Sequence, residues 1–151
     1  MSRIFAVTTV LLSFALWAAP AEAKKPKVLV QDLKAQGVEP HEAMVLSTAA
    51  GTEFSKSSKH DVLCGDDLRN MMQFDGCAEE NCYASMGKAL SARYIVSGSV
   101  SKLGGAYVLS IAMFDTESGR PAGRSQIKAD TVEKLHQDAG EAVSAILKKR
   151  R

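Results

Sequence analysis

RYIVSGSVSKLGGAYVLSIAMFD, residues 93–115, decides the fold of this chain. Two apolar runs alternate with small polar residues and meet at Gly104-Gly105, a pair that accepts the positive φ angles of a tight turn, so the stretch predicts a β-hairpin. Side chains in a strand alternate between faces. Tyr94, Val96, Gly98 and Val100 therefore share a face in the first strand, and Tyr107, Leu109, Ile111 and Met113 share one in the second. That face is apolar enough to need a cover, and helices elsewhere in the chain must supply it.

Working outward from the hairpin, Glu117-Ser118-Gly119 offers a turn into a third strand at about Gly123 to Ala129. Pro121 cannot donate to a ladder, which places this strand at an edge. Asp130 with Glu133 reads as the cap of a final helix in which Val132, Leu135, Ala139, Val143 and Ile146 recur at helical spacing.

Upstream, Val28-Leu29-Val30 reads as a short buried strand ending near Asp32 and Leu33. Gly37 to Pro40 breaks the chain, and Pro40 suits the first position of a helix. From His41 to Lys56 the stripe Ala43, Leu46, Ala50 and Phe54 defines that helix. A brief strand, His60 to Cys64, precedes a short helix capped by Asp66 or Asp67 and containing Leu68, Met71 and Met72. A loop from Gly76 to Cys82 enters another helix lined by Tyr83, Met86, Gly87 and Leu90.

The order is β-α-β-α-α-β-β-β-α. It predicts an α/β (α+β) domain, a mixed sheet of about five strands with a C-terminal antiparallel meander and helices packed on it. Gly98 within the first hairpin strand marks either a close backbone approach or space for a helix packed across the sheet.

The chain begins with Met1 to Ala23: Arg3, an apolar run from Ile4 to Ala19, then Pro20 and Ala21-Glu22-Ala23. The run is shorter than the ~20 apolar residues of a spanning helix and ends in a small-x-small cleavage pattern, so it is expected to be a cleaved secretory signal peptide. Residues 24–151 are then expected as one exported, periplasmic domain with no transmembrane segment. The net charge of +2 is too weak to favour nucleic acid as a partner.

Three cysteines in an oxidising compartment permit one disulfide. Cys77 and Cys82 are the expected pair, since the loop between them is short, polar and placed at a helix entrance. Cys64, at the end of an apolar strand, is expected as a buried thiol. A zinc or thiol-dependent factor built on Cys64, Cys77, Cys82 and a histidine is the alternative from another class. Against it, Cys77-x4-Cys82 is wider than the usual thiolate hook and no Cys-x-x-Cys pair is present. His41, His60 and His136 lie in different elements without triad spacing. No catalytic, cofactor-binding or metal site is expected, and no phosphate-cradling glycine loop is present.

The run CAEENCYASMGKALSARYIVSGSVSKLGGAYVLSIAMFDTESG, residues 77–119, preceded by KVLVQDL and HDVLCGDDLRNMM, resembles the exported α/β domain shared by the amino-terminal part of TolB and by CsgG. LpoB is similar in outline. The most specific part is Ala92 to Val100, followed by the Gly-Gly turn and the turn from Phe114-Asp115 to Ser118-Gly119. The resemblance implies a non-enzymatic envelope protein that binds other proteins as an accessory or scaffold component of cell-envelope machinery.

Three surfaces stand out for such a role. The edge strand, through Gly123, Ser125, Ile127 and Ala129, could accept a partner strand. Lys148, Lys149, Arg150 and Arg151 could contact an anionic surface, although cations also complement a helix C-terminus. The alternate hairpin face, with Val108, Ala112 and Phe114, could join copies of the chain in a self-associating structural protein.

Overall fold

A computed structural model describes residues 24–56, 59–71 and 80–148. Its elements are β1 (Lys27–Val30), β2 (Lys34–Gln36), α1 (Pro40–Lys56), β3 (Asp61–Cys64), α2 (Asp66–Met71), α3 (Glu80–Ala89), β4 (Tyr94–Leu103), β5 (Ala106–Asp115), β6 (Arg120–Ala129) and α4 (Val132–Lys148). The predicted hairpin is β4-β5, in register from Leu103 opposite Ala106 to Tyr94 opposite Asp115, and Gly104 takes the expected positive φ of 62° at its turn.

The sheet order is β3-β1-β4-β5-β6, with β2 pairing β4 beside this path. β1 runs parallel to both β3 and β4, while β4, β5 and β6 form the antiparallel meander. β2 is an addition to the sequence reading. It continues the line of β1 along β4: β1 pairs with Tyr94 to Val96 and β2 with Ser99 to Ser101. All three β2 residues are exposed, so its sequence carries no alternation to read; only the pairing makes it a strand.

The break between β1 and β2 is a built feature. Leu33 turns inward to 5% exposure, and its N–H donates to Ser47 Oγ at 2.8 Å. Ser47 Oγ in turn donates to the Ala43 carbonyl at 2.7 Å, so a hydroxyl in the middle of α1 satisfies the interrupted strand. Opposite the break sits Gly98. A Cβ there would lie 2.1 Å from the Ser110 carbonyl oxygen and 2.9 Å from Leu33 Cδ2. The glycine thus serves a close approach of the neighbouring strand and of Leu33.

Two apolar layers flank the sheet. On one face α1 and α4 bury Leu46, Phe54, Leu135 and Ile146 against Val28, Val30, Val96, Leu109, Ile111 and Met113. This is the face that the hairpin pattern predicts. On the other, Leu29, Ile95 and Phe114 pack with Leu68 of α2 and Met86 of α3. Phe114 and Val108, expected on an exposed contact face, are only 6% and 7% exposed. The second layer of helices covers Phe114, and that removes it from any contact between copies.

Local chemistry sets the helix ends. α1 starts at Pro40, where the Glu39 N–H donates back to Glu42 Oε2 at 3.0 Å. α4 is capped by Thr131, whose Oγ1 accepts the Lys134 N–H at 3.1 Å, in place of the expected Asp130. α3 closes with Ser91 at φ 52° and the Ala92 N–H donating to the Gly87 carbonyl at 2.8 Å, a Schellman-type exit.

Candidate binding surfaces

β6 occupies one margin of the sheet, as Pro121 predicts, and begins earlier than expected, at Arg120. A bulge separates its two halves: Gly123 pairs with Met113 and Pro121 with Phe114, leaving Ala122 as the extra residue. From Gly123 to Ala129 the ladder is regular. Gly123, Ser125, Ile127 and Ala129 share the face that lies on α4; a Cβ on Gly123 would lie 3.0 Å from Ile146 Cγ2, and Ile127 and Ala129 join the core. Ile127 and Ala129 are therefore packing groups, and Gly123 leaves room for Ile146. What the strand offers a partner is its outer backbone edge and the exposed side chains of Arg124, Gln126 and Lys128 on the opposite face.

That opposite face is polar. Cross-strand rows bring Ser99, Ser110 and Gln126 together, and Gln126 Nε2 donates to Ser110 Oγ at 3.1 Å. Ser110 and Gln126, with Ser97, Ala112 and Arg124, line a shallow hollow of about 440 Å³. Among the described residues no helix contributes to its lining, and Arg124 and Gln126 are exposed there.

A second feature lies at the end of the sheet where β1, β3 and β4 begin. Backbone bonds knit it together: Arg93 N–H to the Lys27 carbonyl at 2.9 Å, and Asp61 N–H to the Pro26 carbonyl at 3.1 Å. Lys27 Nζ donates to the Leu90 carbonyl at 3.3 Å. Around them Lys24, Lys25, His60 and Arg93 line an open hollow of about 710 Å³, with Asp61 as an acidic member.

Arg93 is clamped there. Its Nη2 lies 2.7 Å from Asp115 Oδ2, and its Nη1 pairs with Glu117. Burial alone would raise the Asp115 pKa, but N–H donors of Ser118 and Glu117 and the Arg93 charge outweigh it, holding the carboxyl below its ordinary 3.8. The Arg93 pKa is raised, first by its contact with Tyr94 and then by Asp115 and Glu117.

The cysteines divide. Cys64 is a free, half-buried thiol at the end of β3, under Gly51 of α1, where an added Cβ would lie 2.7 Å from Sγ. Its pKa is raised by burial, then by Asp67 and Asp32. Cys82 lies exposed in the first turn of α3, and Cys77 falls outside the described residues. Among the described residues no cluster of three His, Cys, Asp or Glu side chains is arranged to hold a metal ion. His41 and His136 are exposed near the starts of α1 and α4, while His60 stacks edge-on against Tyr94 with centroids 6.1 Å apart.

Lys148 ends α4 exposed, and Lys149, Arg150 and Arg151 fall outside the described residues. Neither Lys24 and Lys25 nor Arg93 stands out in the sequence as a site residue. The signals available were Lys24-Lys25 ahead of β1 and Lys148 in the last turn of α4; that they come to the same end of the sheet is visible only in three dimensions. No helix among the described residues is long and apolar enough to cross a membrane.

No protein-family model matches the chain, and no curated protein matches it by sequence. Solved structures do match it in fold. The PelC dodecamer from Paraburkholderia phytofirmans superimposes with a TM-score of 0.56 at 16% identity, covering 86% of this chain and 92% of that one. The LpoB C-terminal domain from Salmonella enterica gives 0.56 at 12% identity, over 75% and 88% of the two chains. TolB from Acinetobacter baumannii gives 0.55 at 13% identity, over 82% of this chain but only 28% of TolB. The chain shares its α/β fold with these envelope-associated proteins, in agreement with the resemblance to the TolB and LpoB group read from residues 77–119.

Proposed function

We propose that this chain is an exported, periplasmic, non-enzymatic binding module that serves cell-envelope machinery as an accessory or scaffold component. One observation carries the reading: β6 presents a seven-residue regular strand, Gly123 to Ala129, that pairs with β5 on one side and, among the described residues, with no strand on the other. Such an edge accepts an extended partner segment through main-chain hydrogen bonds, with affinity drawn from the ladder and selectivity from flanking side chains. Pro121, the bulge and the basic side chains at Arg120 and Arg124 blunt the first half of the strand against indiscriminate pairing, which leaves the second half as the receptive part. The shared fold with PelC, LpoB and TolB supports an envelope setting. The expected disulfide between Cys77 and Cys82 would fix the entrance to α3, beneath the same sheet.

Ile127 is half-buried on α4, so a proline there would damage the core along with the edge. A cleaner test places a photo-crosslinking amino acid at Gln126, on the exposed face of β6, and at Thr48, exposed on α1, in cells that export the protein. A discrete envelope partner crosslinked from Gln126 and absent from Thr48 supports the edge; equal capture from both positions, or none from Gln126, removes it.

A second reading is self-association, favoured by the dodecameric assembly of PelC, whose fold this chain shares over most of its length. A sheet with two margins, β3 and β6, supplies the unlike surfaces that a head-to-tail ring requires. Mass photometry across a concentration series separates a ring from a monomer.

A further inference from the structure

The end of the sheet described above is more basic than its immediate lining shows. β1 starts there at Lys27, immediately after Lys24 and Lys25. β6 starts there too, because Arg120 pairs with Asp115, which pairs with Tyr94, which pairs with Val28. α4 runs back against β6 and ends at this level: Ile146 touches Gly123, and Lys148 lies beyond it. α1 likewise runs toward this end, and exposed Lys59 precedes the first residue of β3. Lys24 with Lys25, Lys59, Arg93, Arg120 and Lys148 thus come from five separate places in the chain to one pole. Asp61, Asp115 and Glu117 are the acids among them, and the latter two are engaged by Arg93.

The opposite pole is balanced. It holds the starts of α1 and α4, with Glu39, Glu42, Asp130 and Glu133 beside Lys34, Lys102, Lys128 and Lys134. Helix dipoles account for Lys56 and Lys148 at helix C-termini, but not for Lys24, Lys25, Lys59 or Arg120, which stand at strand starts or in loops.

We infer that the basic pole is a docking surface for the anionic phospholipid face of an envelope membrane. One observation selects a bilayer over a soluble anion. The cations are spread across the width of the sheet instead of converging on one point, which suits a plane of phosphates. The inference is independent of strand addition at β6 and goes beyond it.

The test uses protein recovered after export, with its N-terminus read by mass spectrometry. Binding is measured by co-sedimentation with phosphatidylcholine vesicles, with and without phosphatidylglycerol. Expected are retention only on the phosphatidylglycerol vesicles, release by salt, and about thirtyfold weaker binding when two cations are removed in K24Q/K25Q. The matched variant K34Q/K128Q removes the same charge from the opposite pole and should bind as the unaltered protein does. Equal weakening in both variants would reduce the effect to net charge and overturn the docking surface. So would equal retention of the unaltered protein on both vesicles, or binding to purified peptidoglycan with none to vesicles. Every substituted lysine is an exposed side chain, and a thermal melt of each variant verifies the fold.

Discussion

Arg93 Nη2 stands 2.7 Å from Asp115 Oδ2, joining the residue that precedes β4 to the residue that ends β5. The pair closes the open end of the hairpin as Gly104-Gly105 closes the other. Asp115 Oδ1 meanwhile accepts the N–H groups of Glu117 and Ser118, each at 3.0 Å, and so shapes the turn into β6. One carboxylate therefore fixes two connections of the meander.

Because the Asp115 pKa is depressed below 3.8, its contribution is present above that pH and is lost as pH falls through the lower folded value. D115N should lower the urea midpoint at neutral pH and show a shallower loss of stability between mild and strong acid. Parallel acid limbs in the two proteins would mean that another carboxylate governs acid unfolding.

Gly87 of α3 packs on Thr116, and a Cβ there would lie 2.2 Å from Thr116 Cγ2. Thr116 cannot yield easily, since it is 5% exposed and its Oγ1 donates to the Ala92 carbonyl at 2.6 Å. In a solvent-facing helix Gly→Ala stabilises by up to about 1 kcal/mol. Here G87A should destabilise by about 1–3 kcal/mol through overpacking. Chemical denaturation reads the sign directly.

The cap of α4 gives a paired prediction. T131A removes the acceptor for the Lys134 N–H and should cost about 1 kcal/mol, whereas D130A, next to it, should be nearly neutral. Equal losses in the two variants would restore Asp130 as the cap.

Cys64 should be the one thiol that reacts in the native oxidised protein, and slowly, because burial and nearby carboxylates disfavour its thiolate. Its alkylation rate should climb only above the ordinary thiol pKa of 9.0. Three reactive thiols would overturn the proposed Cys77–Cys82 disulfide.

The meander was legible in residues 93–129 because strand alternation is a local property and each turn carries its own glycine. The stripes of α1 and α4 were legible for the same reason: Leu46, Phe54, Leu135 and Ile146 recur at helical spacing, and all are fully buried. β2 was not, since Lys34, Ala35 and Gln36 bury nothing and become a strand only by lying against Ser99 to Ser101. Phe114 was misplaced because alternation tells which residues share a face and not whether a second layer of helices covers it.

The sequence by itself determined every element except β2, the turns of the meander and the apolar face of the hairpin, because these follow from backbone sterics and side-chain period within a few residues. Tertiary structure decided what depends on distant segments meeting: the Gly98 gap that admits Leu33 and the Ser110 carbonyl, the burial of Phe114, and the packing role of Gly123 and Ile127. It also decided the gathering of basic residues at one pole. Each cation is ordinary in its own stretch, and a charged surface arises only where parallel β1 and returning α4 bring Lys24 and Lys25 to the same end of the sheet as Lys148.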